Sequence, residues 1–266
     1  MYCKELNKEF ESKAKMFAEL KANKKMLMLK KKSEVKTKQN SIGLINGQSE
    51  TIKALPDMEK GFIYPVISNT NFLDSHGDVH LNGSMTKTAM EQTNKVFYLA
   101  DHKMEVDSII ATPKNVDVML KPIDWKSLGY DYEGKTEALV YKIDETKIMH
   151  EKALKLIRDK EPMQNSIRMQ YVNIELAVND SDSEEEYKVW SEVYPKLANK
   201  EVADEMGYFW AVRELKLVNE GSMVLFGSNS ATPIDTQTEA ANSTSEIEPS
   251  KDTQISVTQM LQKVNV

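Results

Sequence analysis

Asn165-Ser166-Ile167-Arg168-Met169-Gln170-Tyr171 alternates in polarity, with Ile167, Met169 and Tyr171 on one side and Ser166, Arg168 and Gln170 on the other. A period of two places successive side chains on opposite faces of a strand, so the stretch reads as a half-buried strand with Ser166 opening its polar face. Upstream, Ile148, Met149, Ala153, Leu154, Leu156 and Ile157 recur at helical spacing, and Pro162 ends that helix. A helix delivering a strand whose first polar residue is a hydroxyl makes Ser166 the first candidate for a nucleophile.

Working outward, short β patterns recur at 61–68, 79–81, 96–100, 108–112, 115–123, 136–143, 208–218 and 222–226, separated by turn residues. Pro65 marks its strand as an edge or a bulge. Val96-Phe97-Tyr98-Leu99-Ala100 ends in Asp101-His102, a histidine where a strand gives way to a loop, and Asn219-Glu220-Gly221 interrupts the late β pattern before Ser222. Many short strands with few helices between them argue for a β-rich α+β domain, a barrel over a doubly wound sheet.

The 266 residues divide at composition shifts: a basic helical arm and linker over 1–58, a folded domain over 59–233 with an acidic insertion at 180–207, and an acidic Thr/Ser-rich tail over 234–266. The arm carries an incomplete apolar stripe suited to docking on a partner, and the domain is expected to fold without it. Its lysines are accompanied by no arginine, which argues against a nucleic-acid arm. Net charge is −6, and the single cysteine, Cys3, excludes an intramolecular disulfide framework and suggests a reducing compartment. No apolar run has the length of a membrane span.

The ordered set Gly77-Asp78, Gly83, His102, Ser166 and Glu220-Gly221-Ser222-Met223-Val224-Leu225-Phe226-Gly227-Ser228-Asn229 resembles the prohead serine proteases of tailed bacteriophages, the enzymes that mature capsids of the HK97 type. The resemblance spans about residues 60 to 233. It implies a herpesvirus-protease-like fold, a closed antiparallel β-barrel surrounded by helices, with Ser166 as nucleophile, His102 as general base and Glu220 as the acid that orients the imidazole, and it calls for no cofactor or metal. It also implies partners and place: scaffold and capsid protein as substrates, cleavage of the chain itself in the linker and after Pro233, and action inside the procapsid in the bacterial cytoplasm, with the enzyme absent from the mature virion. Serine needs a neighbour to accept its proton, and histidine is the side chain that does so near neutrality. A carboxylate on the far ring nitrogen fixes the tautomer and stabilises the imidazolium.

Two rival readings stay open. The rival from another class is a capsid assembly or scaffold protein that keeps the protease fold without activity, its lysine helix and acidic tail being the working parts. The spacing His76-Gly77-Asp78-Val79-His80, with His102 as a further ligand, suits a metal-dependent hydrolase. His76 and His80 also compete with Glu220 as third catalytic member.

Overall fold

A computed structural model describes residues 1–35 and 58–236. The chain opens with a small hairpin, β1 (Tyr2–Cys3) and β2 (Lys8–Glu9), followed by helices α1 (Lys13–Ala22) and α2 (Lys24–Ser33). Ser12 caps α1 by accepting the Lys15 N–H. This segment is no detached arm. Cys3, Met16, Phe17, Leu20 and Leu27 are buried in the main core, and each such large apolar side chain contributes about 1.5–3 kcal/mol when fully buried.

Charge fastens the same segment. Lys31 of α2 is buried, with its Nζ 2.5 Å from Asp78 Oδ1 and 2.9 Å from Glu5 Oε1, and the Tyr171 hydroxyl donates to Asp78 Oδ2 at 2.7 Å. Burial by itself would lower the Lys31 amine's affinity for its proton, but the two carboxylates outweigh it and hold the group above its ordinary value. In the sequence Lys31 sits in a run of three lysines, and nothing local distinguishes the buried one from its solvated neighbours.

The rest of the chain runs β3 (Phe62–Asn69), β4 (Asp78–His80), α3 (Thr86–Gln92), β5 (Phe97–Ala100), β6 (Ile109–Ala111), β7 (Asp117–Asp124), β8 (Lys135–Asp144), α4 (Glu151–Arg158), β9 (Gln164–Val178), α5 (Glu184–Val193), α6 (Lys200–Met206), β10 (Tyr208–Val224) and β11 (Ile234–Thr236). One sheet has the order β11-β3-β8-β7 and is antiparallel throughout. The other is built on the 17-residue β10, which pairs antiparallel with β9 along one edge. Its opposite edge is shared end to end by β4 and β5, both parallel to it, with β6 beyond β5. Ile63, Ile67, Leu139 and Tyr141 of the first sheet meet Tyr98, Ile167, Met169, Leu215 and Leu217 of the second in the main core.

The β-rich α+β class holds. No closed antiparallel barrel is seen among the described residues: apart from the β1–β2 hairpin the strands fall in two sheets with no ladder joining those two, and the larger sheet is mixed. Alternating polarity reports a half-buried strand but not the direction of its partner, and β10 finds its parallel partners β4 and β5 far earlier in the chain, across the long connection through β6 to α6. Of the two readings of Pro65, the edge fails, because β11 pairs with β3 there, and the bulge holds, because the β3–β8 register shifts between Val66 and Ser68 just after it.

The acidic stretch 180–207 forms α5 and α6 between β9 and β10. It packs rather than floats, since Trp190, Val193, Leu197 and Ala203 bury against Phe209 and Ala211, and Glu186 pairs with Lys24 of α2 at 2.6 Å. Of the cleavage sites expected in the linker around Gln39 to Asp57 and after Pro233, those in the linker and from residue 237 onward lie outside the described residues, while directly after Pro233 the chain pairs with β3 as β11.

Candidate active site

The site is made by a bulge in β10. Leu217 pairs with Met169 and Gly221 with Ile167, so Val218, Asn219 and Glu220 stand opposite Arg168 alone, with Asn219 in the left-handed region at φ 66°. The sequence reads this place as a break between two strands; it is a bulge within one. Past it, Ser222 lies directly opposite Ser166. Directly opposed residues of an antiparallel pair project from the same face, about 4.5–5.5 Å apart. Glu220, two residues before Ser222, shares that face.

His102 reaches the same place from the other edge. β5 runs parallel to Glu220–Met223 and ends at Ala100, after which the Asp101 N–H donates to Met223 O at 2.9 Å. Asp101 and His102 both adopt φ 56°, and two consecutive non-glycine residues in the left-handed region cost about 1–3 kcal/mol each. That reversal folds the imidazole onto β10, where His102 Nδ1 lies 2.8 Å from Glu220 Oε1. The Ser222 hydroxyl donates to Glu220 Oε2 at 2.6 Å and accepts the His102 backbone N–H at 3.2 Å.

Burial gives these contacts their consequence. The Glu220 side chain is fully buried and that of His102 is 6% exposed. A carboxylate facing Nδ1 favours the tautomer that carries its proton there, which leaves Nε2 as an acceptor. His102 Nε2 is buried and has no hydrogen-bond partner among the described residues. Ser222 is no candidate nucleophile, because it is wholly buried and its hydroxyl is engaged both as donor and as acceptor. Ser166, 6% exposed, is the serine on this face whose hydroxyl is not committed to another described residue.

Packing behind the site is tight. A Cβ on Gly221 would come within 2.9 Å of both Ile67 Cγ2 and the Tyr141 hydroxyl oxygen, so only glycine lets the two sheets approach here. Burial, reinforced by the negative charge of Glu220, pushes the Tyr141 hydroxyl well above its usual ionisation range and keeps it neutral. Arg168 shares the face of Ser166, its Nε is buried without an acceptor, and no carboxylate among the described residues pairs with it.

Asn165 and Asn229 stand in stretches that the sequence singles out, but their part in holding the start of β9 is not readable there. Asn165 accepts from the Tyr98 hydroxyl at 2.7 Å, and its Nδ2 donates to the carbonyls of Thr232 and Pro233. Asn229 orders the segment before Thr232 through Asn69 and the Ala231 N–H. A buried asparagine beside the proposed nucleophile was the available signal, but its partners lie more than 60 residues away in the chain.

His76, Asp78 and His80 are not brought to His102. His80 pairs in register with Val212, at the far end of β10 from Glu220, and its Nδ1 lies 2.9 Å from Ser68 Oγ. Asp78 is held by Lys31 and Tyr171. Among the described residues no group of three or more His, Cys, Asp or Glu side chains is placed to hold a metal ion. In comparison with known proteins, the chain matches no family model, no curated protein and no solved structure.

Proposed function

We propose that this protein is a serine endopeptidase in which Ser166 attacks the scissile carbonyl, His102 accepts and returns the proton, and Glu220 orients and stabilises the imidazole. The observation that carries the reading is the 2.8 Å contact of a fully buried Glu220 with His102 Nδ1, on the strand face where Ser166 stands opposite Ser222. The chemistry follows from that order: Nε2 is the basic nitrogen, Ser166 is the available hydroxyl, and the carboxylate stabilises the imidazolium as it forms.

The order of motifs supports a narrower reading. By resemblance to the prohead proteases, the substrates are scaffold, the scaffold-like part of the capsid protein, and the chain itself, and the place of action is the procapsid within the bacterial cytoplasm. No helix among the described residues is long and apolar enough to cross a membrane. A second reading, a protease fold kept for assembly without activity, draws on one observation: no hydrogen bond joins the Ser166 hydroxyl to His102. Catalytic hydrogen bonds often tighten only when substrate binds, so the contact is not required in the free protein.

A fluorophosphonate probe decides between the two. Covalent labelling of Ser166, found by peptide mass spectrometry and lost in Ser166→Ala, is the expected result, and an unlabelled wild-type protein would leave the assembly reading. Intact mass of co-expressed capsid protein, cut with the wild type and whole with Ser166→Ala, tests the substrate.

A further inference from the structure

We propose that Ser222 is a positioning residue that binds Glu220 and His102 into one unit, an inference that rests on the protease reading. Three hydrogen bonds close a ring. The His102 imidazole contacts Glu220 Oε1, Glu220 Oε2 accepts from the Ser222 hydroxyl, and Ser222 Oγ accepts from the backbone N–H of His102 itself. The histidine is thereby held twice, at its ring and at its backbone, and both holds pass through Ser222.

Each contact answers a need that other groups leave unmet. Glu220 is wholly buried, and its second oxygen has no other hydrogen-bond donor among the described residues. A carboxylate with one oxygen unsatisfied can rotate, and rotation about its side-chain bonds would take Oε1 off the imidazole. His102 sits in the left-handed region, a conformation that persists only where surrounding contacts over-determine it, and its N–H bond to Ser222 is one such contact. Asp101 is pinned separately by its N–H bond to Met223 O, so the turn is fixed to β10 at two successive residues.

The placement of Ser222 also bears on the nucleophile. It stands directly opposite Ser166 in the ladder, so the residue that sets the imidazole is cross-strand neighbour to the residue the imidazole must serve. A hydroxyl suits the position because it gives one hydrogen and accepts another at the same atom. Alanine would keep the strand and lose both contacts.

The test compares Ser222→Ala and Ser222→Thr with the wild type. Ser222→Ala is expected to lower the rate of fluorophosphonate labelling at Ser166, and kcat on a cleaved capsid-protein peptide, by about 10- to 100-fold, the usual effect of losing an outer-shell partner, with KM changed by less than about twofold. The His102 Nδ1 proton is expected to give a protected downfield NMR resonance in the wild type and to exchange freely in Ser222→Ala. Ser222→Thr, which keeps the hydroxyl, should restore both readouts. If Ser222→Ala does not fold, Ser222→Cys, close in volume but a weak donor, takes its place. Wild-type labelling rate with an intact Nδ1 resonance in Ser222→Ala would overturn the proposal while leaving the protease reading in place. Absence of labelling in the wild type would sink the protease reading, and the Nδ1 resonance would still show whether Ser222 holds His102. A label found on Ser222 itself would overturn both.

Discussion

Glu220→Gln isolates the charge of the proposed third member from its shape. The side chain lies in a fully buried position with both oxygens used, one facing His102 Nδ1 and the other accepting from Ser222. An amide offers one acceptor and one donor, so two arrangements compete. With its oxygen toward Nδ1–H, its NH2 faces the Ser222 oxygen, the working tautomer survives and the imidazolium loses its counter-charge. With its NH2 toward Nδ1, the imidazole must move its proton to Nε2 and can no longer take one from Ser166. Loss of a buried charge partner alone is worth about 3–5 kcal/mol, or roughly 10²- to 10⁴-fold in rate, and the wrong tautomer adds to it. Labelling by fluorophosphonate under pseudo-first-order conditions reads the nucleophile without any substrate, and kcat and KM on a cleaved peptide separate chemistry from binding. The expected outcome is a fall of at least 10² in both labelling rate and kcat with KM nearly unchanged. A fall of less than tenfold would refute the role given to Glu220, and a loss confined to KM would relocate it to substrate binding.

Other variants test the frame around the site. Ser166→Ala should abolish labelling and cleavage while moving the urea midpoint little, since a single hydroxyl with no partner among the described residues is removed; residual proteolysis by the pure mutant would move the nucleophile elsewhere. Gly221→Ala should destabilise by about 1–3 kcal/mol in urea melts and lower activity, because its new Cβ meets Ile67 and Tyr141; unchanged stability would mean the sheets can part at no cost. Lys31→Met should cost about 3–5 kcal/mol by stranding Asp78 and Glu5. Because the folded protein holds the Lys31 amine above its ordinary 10.5, that stabilisation is fully present below about pH 10 and is lost only in more alkaline solution; a gap between wild type and mutant that narrowed between pH 6 and 9 would contradict the pairing. A chain beginning at residue 59 should be insoluble or molten, with Tyr208 and Trp210 newly uncovered, and a well-folded fragment would restore the notion of a detachable arm.

The strand of Ser166 was legible because its alternation covers seven residues and one face is buried, and His102 because an apolar run ends there. Long-range pairing was not legible. Lysine-rich segments read as solvated, yet the stem of Lys31 runs into the protein and its charge is neutralised by Asp78, 47 residues away. The glycine-aspartate turn gives no sign in the sequence that its aspartate anchors the first helices. Similarly, the β10–β4 and β10–β5 pairings depend on where the chain crosses over, which polarity alone does not encode.

The juxtaposition of Ser166, Ser222 and Glu220 depends on a count that the sequence holds but does not announce. Between the pairs Leu217–Met169 and Gly221–Ile167, β10 spends three residues where β9 spends one. The excess is two, an even number, so the faces on either side of the bulge stay in phase: Leu217 and Gly221 both point into the core, and Ser222 returns to the face that Ser166 occupies. An excess of one would put Ser222 on the core face against Tyr141 and turn the carboxylate of Glu220 away from His102. Deleting Asn219, the left-handed residue of the bulge, therefore changes no charge and no proposed catalytic group, yet it should remove the contact between Glu220 and His102 and with it labelling of Ser166. If the deletion variant folds and labels at the wild-type rate, the bulge does not set the site, and the phase argument fails with it.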